Sequence, residues 1–196
     1  MQAAVRVAER RERLINAGLD VLGAQELTDL TVRGVCSQAG VAARYFYESF
    51  ADKDELVAAV FDQVVGDLAT STQAAVAGVP HADQTRAGIS HLVAAIGGDA
   101  RVGRILFSTS LTNPLLVRKR AESSALFAML SGRHVQTVLR VAGNDRINAV
   151  AHFVVGGVAQ TISSWLAGEI QMRPDQLVDQ LTALVNQLDD PSLFRG

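Results

Sequence analysis

The chain has 196 residues, of which 48% are hydrophobic and 19% charged. That balance excludes a disordered or fibrous chain and describes one moderately large globular unit or two small ones, with enough apolar mass to bury a core. The single cysteine, Cys36, excludes an internal disulfide, and the formal net charge of −2 argues mildly against a nucleic-acid partner held by bulk charge.

The first predicted helix opens with Arg6, Arg10, Arg11 and Arg13 against Glu9 and Glu12. Leu14, Ala17, Gly18, Val21 and Leu22 then follow at i, i+3, i+4, i+7 and i+8, an apolar stripe that packs this helix behind the next elements. The arginines form either a solvated face or a local basic patch. Thr31 stands as an N-cap, and Val32, Val35, Cys36 and Ala39 share one face of a short helix. Gly40 falls where a helix end favours positive φ, so the chain turns sharply and restarts, with Val41 filling the corner. In the next short helix Phe46 and Phe50 share an inward face, which leaves Arg44, Tyr45, Tyr47 and Ser49 outward. Two short helices around a glycine turn, with aromatics and cations outside, make a helix-turn-helix suited to reading DNA. Three helices thus form an N-terminal unit over residues 1–51.

Asp52 and Glu55 form a capping box ahead of Leu56, Val57, Val60, Phe61, Val64 and Val65, and Lys53 lands at a helix N-terminus that favours an anion. This helix runs to about residue 77 and stops at Gly78-Val79-Pro80. Further helices are read over 83–96, 100–111, 114–141, 146–170 and 174–188, with 189–196 as a loose tail. No alternating strand pattern intervenes. The expected architecture is all-α with about nine helices, residues 52–196 forming a helical regulatory and dimerisation unit.

Thr31-Val32-Arg33, Ala39-Gly40-Val41, Tyr47 with Phe50, and Lys53 with Leu56 behind it resemble the DNA-binding domain of the TetR family of bacterial transcriptional regulators. The resemblance covers the N-terminal third. It implies that the second short helix enters the major groove, that Thr31, Tyr47 and Lys53 touch phosphates, and that Arg33, Arg44 and Tyr45 lie where bases or backbone are contacted. Two positions depart from the family's pattern. Ala42 stands where Ser or Thr is usual, which removes one phosphate contact and one helix cap, the latter at a cost of about 1 kcal/mol. Tyr45 fills a slot that is usually small, and packs either on a thymine methyl or sugar in the groove or along the protein surface. With Ser49 on the outward face, the candidate DNA-contacting set is Thr31, Arg33, Ala42, Arg44, Tyr45, Tyr47, Ser49 and Lys53. Its small basic footprint predicts few neutralised phosphates and a modest salt dependence.

The helix over 146–170 is apolar around most of its circumference, with small residues at Gly156, Gly157, Ala159, Ser163 and Ser164. His152, Gly156, Gly157, Gln160 and two serines interrupt its apolar run, so it reads as an interface helix rather than a membrane span. The resemblance implies that the last two helices build a homodimer interface, for which Gly156, Gly157, Gln160, Ser164, Leu177, Leu181 and Leu184 are the candidates. An ordinary core helix is the alternative. A homodimer places two recognition helices about one duplex turn apart, as a palindromic operator requires. The family's middle helices hold a variable effector pocket. Phe61, Phe107, Phe127, Phe153 and Trp165 are candidates for its lining, with His91, His152 or Gln160 as orienting polar groups; as aromatics at helical spacing they also fit an ordinary core.

No Gly-x-Ser-x-Gly elbow, Walker loop, Gly-x-Gly-x-x-Gly or His-Glu-x-x-His occurs. His81, His91, His134 and His152 are scattered without clustered carboxylates, so neither a metal nor a cofactor is expected. The start of the chain lacks an apolar leader, which fits a cytoplasmic protein. Arginine outnumbers lysine 16 to 2, in keeping with a GC-rich bacterial source. The function expected is a ligand-responsive transcriptional regulator, usually a repressor, that binds DNA as a homodimer and is released by a small apolar or amphipathic effector. The rival reading is a helical small-molecule binding protein or catalyst without operator binding.

Overall fold

A computed structural model describes residues 2–24, 30–139 and 143–188, and among them there are nine α-helices and no strand. The helices are α1 (Gln2–Leu22), α2 (Val32–Ala39), α3 (Ala43–Phe46), α4 (Lys53–Ala77), α5 (Gln84–Gly98), α6 (Ala100–Phe107), α7 (Pro114–Leu139), α8 (Asp145–Leu166) and α9 (Pro174–Gln187). A 3-10 turn, His81–Asp83, precedes α5. The expected tail and the expected end of the seventh helix at Val141 lie outside the described residues.

Helix starts follow local chemistry. Asp52 Oδ1 accepts the Glu55 N–H at 2.9 Å, and the Glu55 carboxylate reaches back to the Ala51 N–H at 2.6 Å, so two otherwise orphaned donors are satisfied at the start of α4. Asn144 caps α8 through the Ile147 N–H at 3.0 Å. Two helices end earlier than their sequence pattern suggests. At the end of α6 the Arg120 guanidinium, projecting from α7, donates to the carbonyls of Arg104, Ile105, Ser108 and Leu111. Those acceptors are satisfied by a cation rather than by another helical turn, and the cation suits the negative end of the helix dipole. Helix α8 stops at Leu166 because Gly168 adopts φ 79°, a left-handed conformation, and the Glu169 N–H turns back to the Ser164 carbonyl at 2.9 Å.

Two apolar clusters hold the fold. The larger joins Leu14, Ile15 and Leu22 of α1, Val35 and Cys36 of α2, Phe46 and Phe50, and Leu56, Val57, Val60, Phe61 and Val64 of α4. Ile105 of α6 and Leu116 of α7 belong to it as well, so the core of the N-terminal helices continues into the rest of the molecule. The smaller cluster packs Ile89, Val93 and Ile96 of α5 against Ile162 of α8 and Leu177, Val178 and Leu181 of α9.

A polar bridge crosses the first junction. Asp20 of α1 accepts from Gln38 of α2 at 2.8 Å and pairs with Arg101 of α6. Arg101 also holds Asp99, the N-cap of α6, through its Nη2 at 2.6 Å, and that hydrogen bond keeps the Asp99 carboxyl below the usual carboxylate range. Arg104 donates to the Gly23 carbonyl at the end of α1. The ion pairs Lys119–Asp62 at 2.7 Å and Arg86–Asp179 at 2.5 Å lie at the surface, where such pairs contribute about 0–1 kcal/mol each.

Phe61 is only 1% exposed and belongs to the larger cluster. Phe61→Ala is expected to lower the unfolding free energy by about 3–5 kcal/mol in denaturant titration; a loss below about 0.5 kcal/mol would place Phe61 outside the core.

Candidate nucleic-acid interface

Thr31 Oγ1 accepts the Gly34 N–H at 3.1 Å and starts α2. Gly40 ends it at φ 63° and ψ 36°, where a side-chain-bearing residue is strained, and the Val41 N–H returns to the Cys36 carbonyl at 3.0 Å. Val41 is buried in the corner, and burial pushes the Cys36 thiol up, so both act as small hydrophobes. Ala42 then offers extended backbone at the N-cap of α3 and no side-chain hydrogen bond. Only Ala43–Phe46 is helical; the Ser49 and Phe50 N–H groups both close on the Phe46 carbonyl at 2.9 Å. The rings of Phe46 and Phe50 lie 5.6 Å apart, both buried, and fasten this short segment to the core.

The outer face follows from that fastening. Thr31, Arg33, Ala42, Arg44, Tyr47 and Lys53 are exposed, Tyr47 at 62%. Arg33 and Tyr47 border an open depression between α2 and α3 whose floor includes Ser37, Gly40 and Ala43. Among the described residues neither Arg33 nor Lys53 has a carboxylate partner, and Lys53 begins α4, at the positive end of its dipole. Tyr45 lies along the protein surface. Its ring is half-buried, with the guanidinium carbons of Arg10 and Arg44 at 4.3 and 4.6 Å from its centroid.

Ser49 departs from its expected outward position. Its Oγ is buried and has no hydrogen-bond partner, because α3 has already ended and the chain there is a turn folded against Phe46. Charge is patterned rather than abundant: the first 55 residues hold seven Lys and Arg against nine Asp and Glu. Arg10 is offset by Glu48 at 3.2 Å. What this face offers a phosphate is therefore local placement of cations, hydroxyls and helix N-termini rather than net charge.

The candidate effector residues are dispersed. Phe61 is core, Phe107 and Trp165 border the smaller cluster, Phe127 is half-buried on α7, His152 is exposed, and Phe153 is 69% exposed on α8. The Trp165 indole N–H is committed to the Met172 carbonyl at 2.8 Å, and His91 is paired with Ser71 Oγ at 2.8 Å. A cleft of about 330 Å³ lies elsewhere, between α1, α4 and the α5–α6 corner, lined by Leu19, Val60, Val64, Gln63, Asp67 and Ser71 among others. Its trace in the sequence is the polar series Gln63, Asp67 and Ser71 at four-residue spacing on α4.

The interface candidates divide in two. Gly156, Gly157, Gln160 and Leu184 face outward, and a Cβ added at either glycine would meet nothing within 4 Å. Ser164 is half-buried beside Gln160, whose amide lies 3.4 Å from its hydroxyl. Leu177 and Leu181 are 0% and 2% exposed within the single chain. The period of α9 turns them onto α5, which removes them from any face open to a partner.

Residues 14–60 match the family described as bacterial regulatory proteins, tetR family. The match runs from Leu14 of α1 through α2 and α3 to Val60 of α4. The whole chain shares the fold of TetR-like regulators. One from Syntrophomonas wolfei superposes with a TM-score of 0.76 at 11% identity, over 93% of this chain and 95% of that one. The regulator FadR of Bacillus subtilis, solved with stearoyl-CoA, gives 0.67 at 16% identity over 89% and 96%. A transcriptional regulator from Rhodococcus sp. Rha1 gives 0.69 at 20% identity over 90% and 94%. No curated protein matches the chain.

The N-cap of α3 lacks a side-chain hydrogen bond at Ala42 and should gain one simply. Ala42→Ser is expected to raise the unfolding free energy by about 1 kcal/mol, read as a higher thermal midpoint; no gain would mean that the α3 N–H groups are already satisfied.

Proposed function

We propose that the protein is a cytoplasmic, ligand-responsive transcriptional regulator that binds a palindromic operator as a homodimer. Repression, relieved by a small apolar or amphipathic effector, is its mode of action. The observation that carries this reading is the glycine-cornered pair α2–α3 with Arg33, Arg44, Tyr47 and Lys53 on its outer face. Tyr47, Lys53 and Thr31 supply phosphate contacts, while Arg33 and Arg44 reach base edges in the major groove.

The homodimer rests on α8. This helix is long and apolar enough to cross a membrane by length and composition, yet only 11% of its most apolar window is buried within the chain. An apolar helix left open on one side calls for cover, and the glycines at 156 and 157 permit a close approach. Phe153 and Leu184 lie exposed on the two helices that would meet the partner. Division of the chain into a reading unit over 1–51 and a regulatory unit over 52–196 puts the boundary at Asp52, the cap of α4.

An effector acts only by binding the conformation that does not fit DNA more tightly than the one that does. The solved complex of FadR with stearoyl-CoA supports an amphipathic molecule as the class. The route to the reading head is α4, together with the Asp20 bridge that ties α6 to α1 and α2.

Titration into duplex from upstream of the protein's own gene, against random duplex at several salt concentrations, tests the central claim. Lys53→Ala and Tyr47→Phe are expected to weaken binding to all sequences, and Lys53→Ala to lower the salt slope by about one per site. Arg44→Ala is expected to change sequence preference at about 1–3 kcal/mol per base pair read. Absence of any preferred sequence sinks the regulator reading in favour of a helical small-molecule binding protein. Light scattering should give twice the chain mass; a monomer at micromolar concentration would overturn the homodimer.

A further inference from the structure

Helix α3 is a single turn without a side-chain cap, so little within it fixes where its arginine points. The restraint comes from outside. Arg44 Nη2 donates to Tyr45 Oη at 2.8 Å, and the Arg44 guanidinium carbon lies 4.6 Å from the centroid of the same ring. Arg10 of α1 approaches that ring at 4.3 Å, and its own Nη2 donates to Glu48 Oε2 at 3.2 Å. One aromatic ring thus engages two guanidiniums, one from α1 and one from α3, and the Glu48 carboxylate, four residues beyond Arg44, holds the one from α1.

We infer that Tyr45 and Glu48 are positioning residues for DNA readout: Tyr45 aims Arg44 at a base edge, and Glu48 keeps Arg10 against the ring and away from the phosphates. The inference rests on the DNA-binding reading proposed above and deepens it. An arginine reads guanine through two parallel N–H donors to O6 and N7, a geometry that tolerates little rotation. The long side chain has many rotamers in solution, and each one excluded before binding is one that DNA need not exclude. With Nη2 bonded to Tyr45 Oη, one end of the fork is anchored and the other N–H groups remain for the groove. Glu48 acts by subtraction. A free Arg10 beside the duplex would add a sequence-independent phosphate contact, raising affinity for every site and lowering the contrast between operator and random duplex.

The phenylalanine variant isolates the hydroxyl. Tyr45→Phe retains the ring against Arg10 and Arg44 and removes only Oη, so folding is unchanged and any lost discrimination belongs to the hydroxyl. Selection from a random duplex pool with the full chain first defines the preferred sequence. Tyr45→Phe is then expected to lose about tenfold of its discrimination at the base pairs where Arg44→Ala loses preference, and nowhere else. Glu48→Gln is expected to bind random duplex more tightly, with the log–log salt slope steeper by about one per site. A Tyr45→Phe protein that reads every position as the wild type does overturns the positioning role of Tyr45. A uniform loss across all sequences also overturns it, since the hydroxyl would then be a phosphate contact. An unchanged slope in Glu48→Gln removes the role given to Glu48. Failure of the wild type to select any sequence defeats the regulator reading itself, and this inference with it.

Discussion

Burial of Phe46 and Phe50 is the constraint on which the remainder turns. These rings are the only large apolar groups that the short segment after Gly40 sends inward, and they join Leu14 of α1 and Leu56 of α4 in one cluster. Without that anchorage a four-residue helix has no means of support, because a single helical turn fixes several dihedrals for very few hydrogen bonds. With it, the outward direction of Arg44 and Tyr47 is settled by the inward direction of their neighbours. The reading surface is the reverse side of a core.

That core does not belong to the reading helices alone. Ile105 and Leu116 extend it into α6 and α7, and the bridge from Gln38 through Asp20 to Arg101 and Asp99 runs along its edge. Apolar contact transmits volume changes without regard to direction, whereas hydrogen-bonded charges respond sharply to a lost partner. A shift of α6 is therefore felt at α1 and α2 in two ways. The cleft beside Leu19, Val64 and Asp67 adjoins this junction, where the helices of the two parts meet.

Legibility in the sequence tracks the range of the interaction. Thr31, Gly40 and the Asp52–Glu55 box were readable because a cap or a turn involves partners within four residues, and they appear with the expected geometry. The starts of the long helices at Asn113-Pro114 and Arg173-Pro174 were readable for the same reason. Periodicity identifies an apolar face but not the neighbour that covers it. Leu177 and Leu181 thus lie against α5 rather than a second copy, and Phe61 serves the core rather than a cavity. Ser49 faces outward only if the helix continues past Phe46, and it stops there. The ends of α6 and α8 depend on Arg120 and on the backbone of Gly168, one distant in sequence and the other a matter of a single dihedral.

The brevity of α3 has a further consequence. A long recognition helix carries its stiffness in its own backbone, and only substitutions along it alter what it reads. Here the stiffness is borrowed: Arg10 and Arg11 lie over the rings of Tyr45 and Phe50, so α1 is part of the mould in which the reading surface is cast. On the DNA-binding reading proposed above, a change of target can therefore begin on α1, outside the glycine-cornered pair.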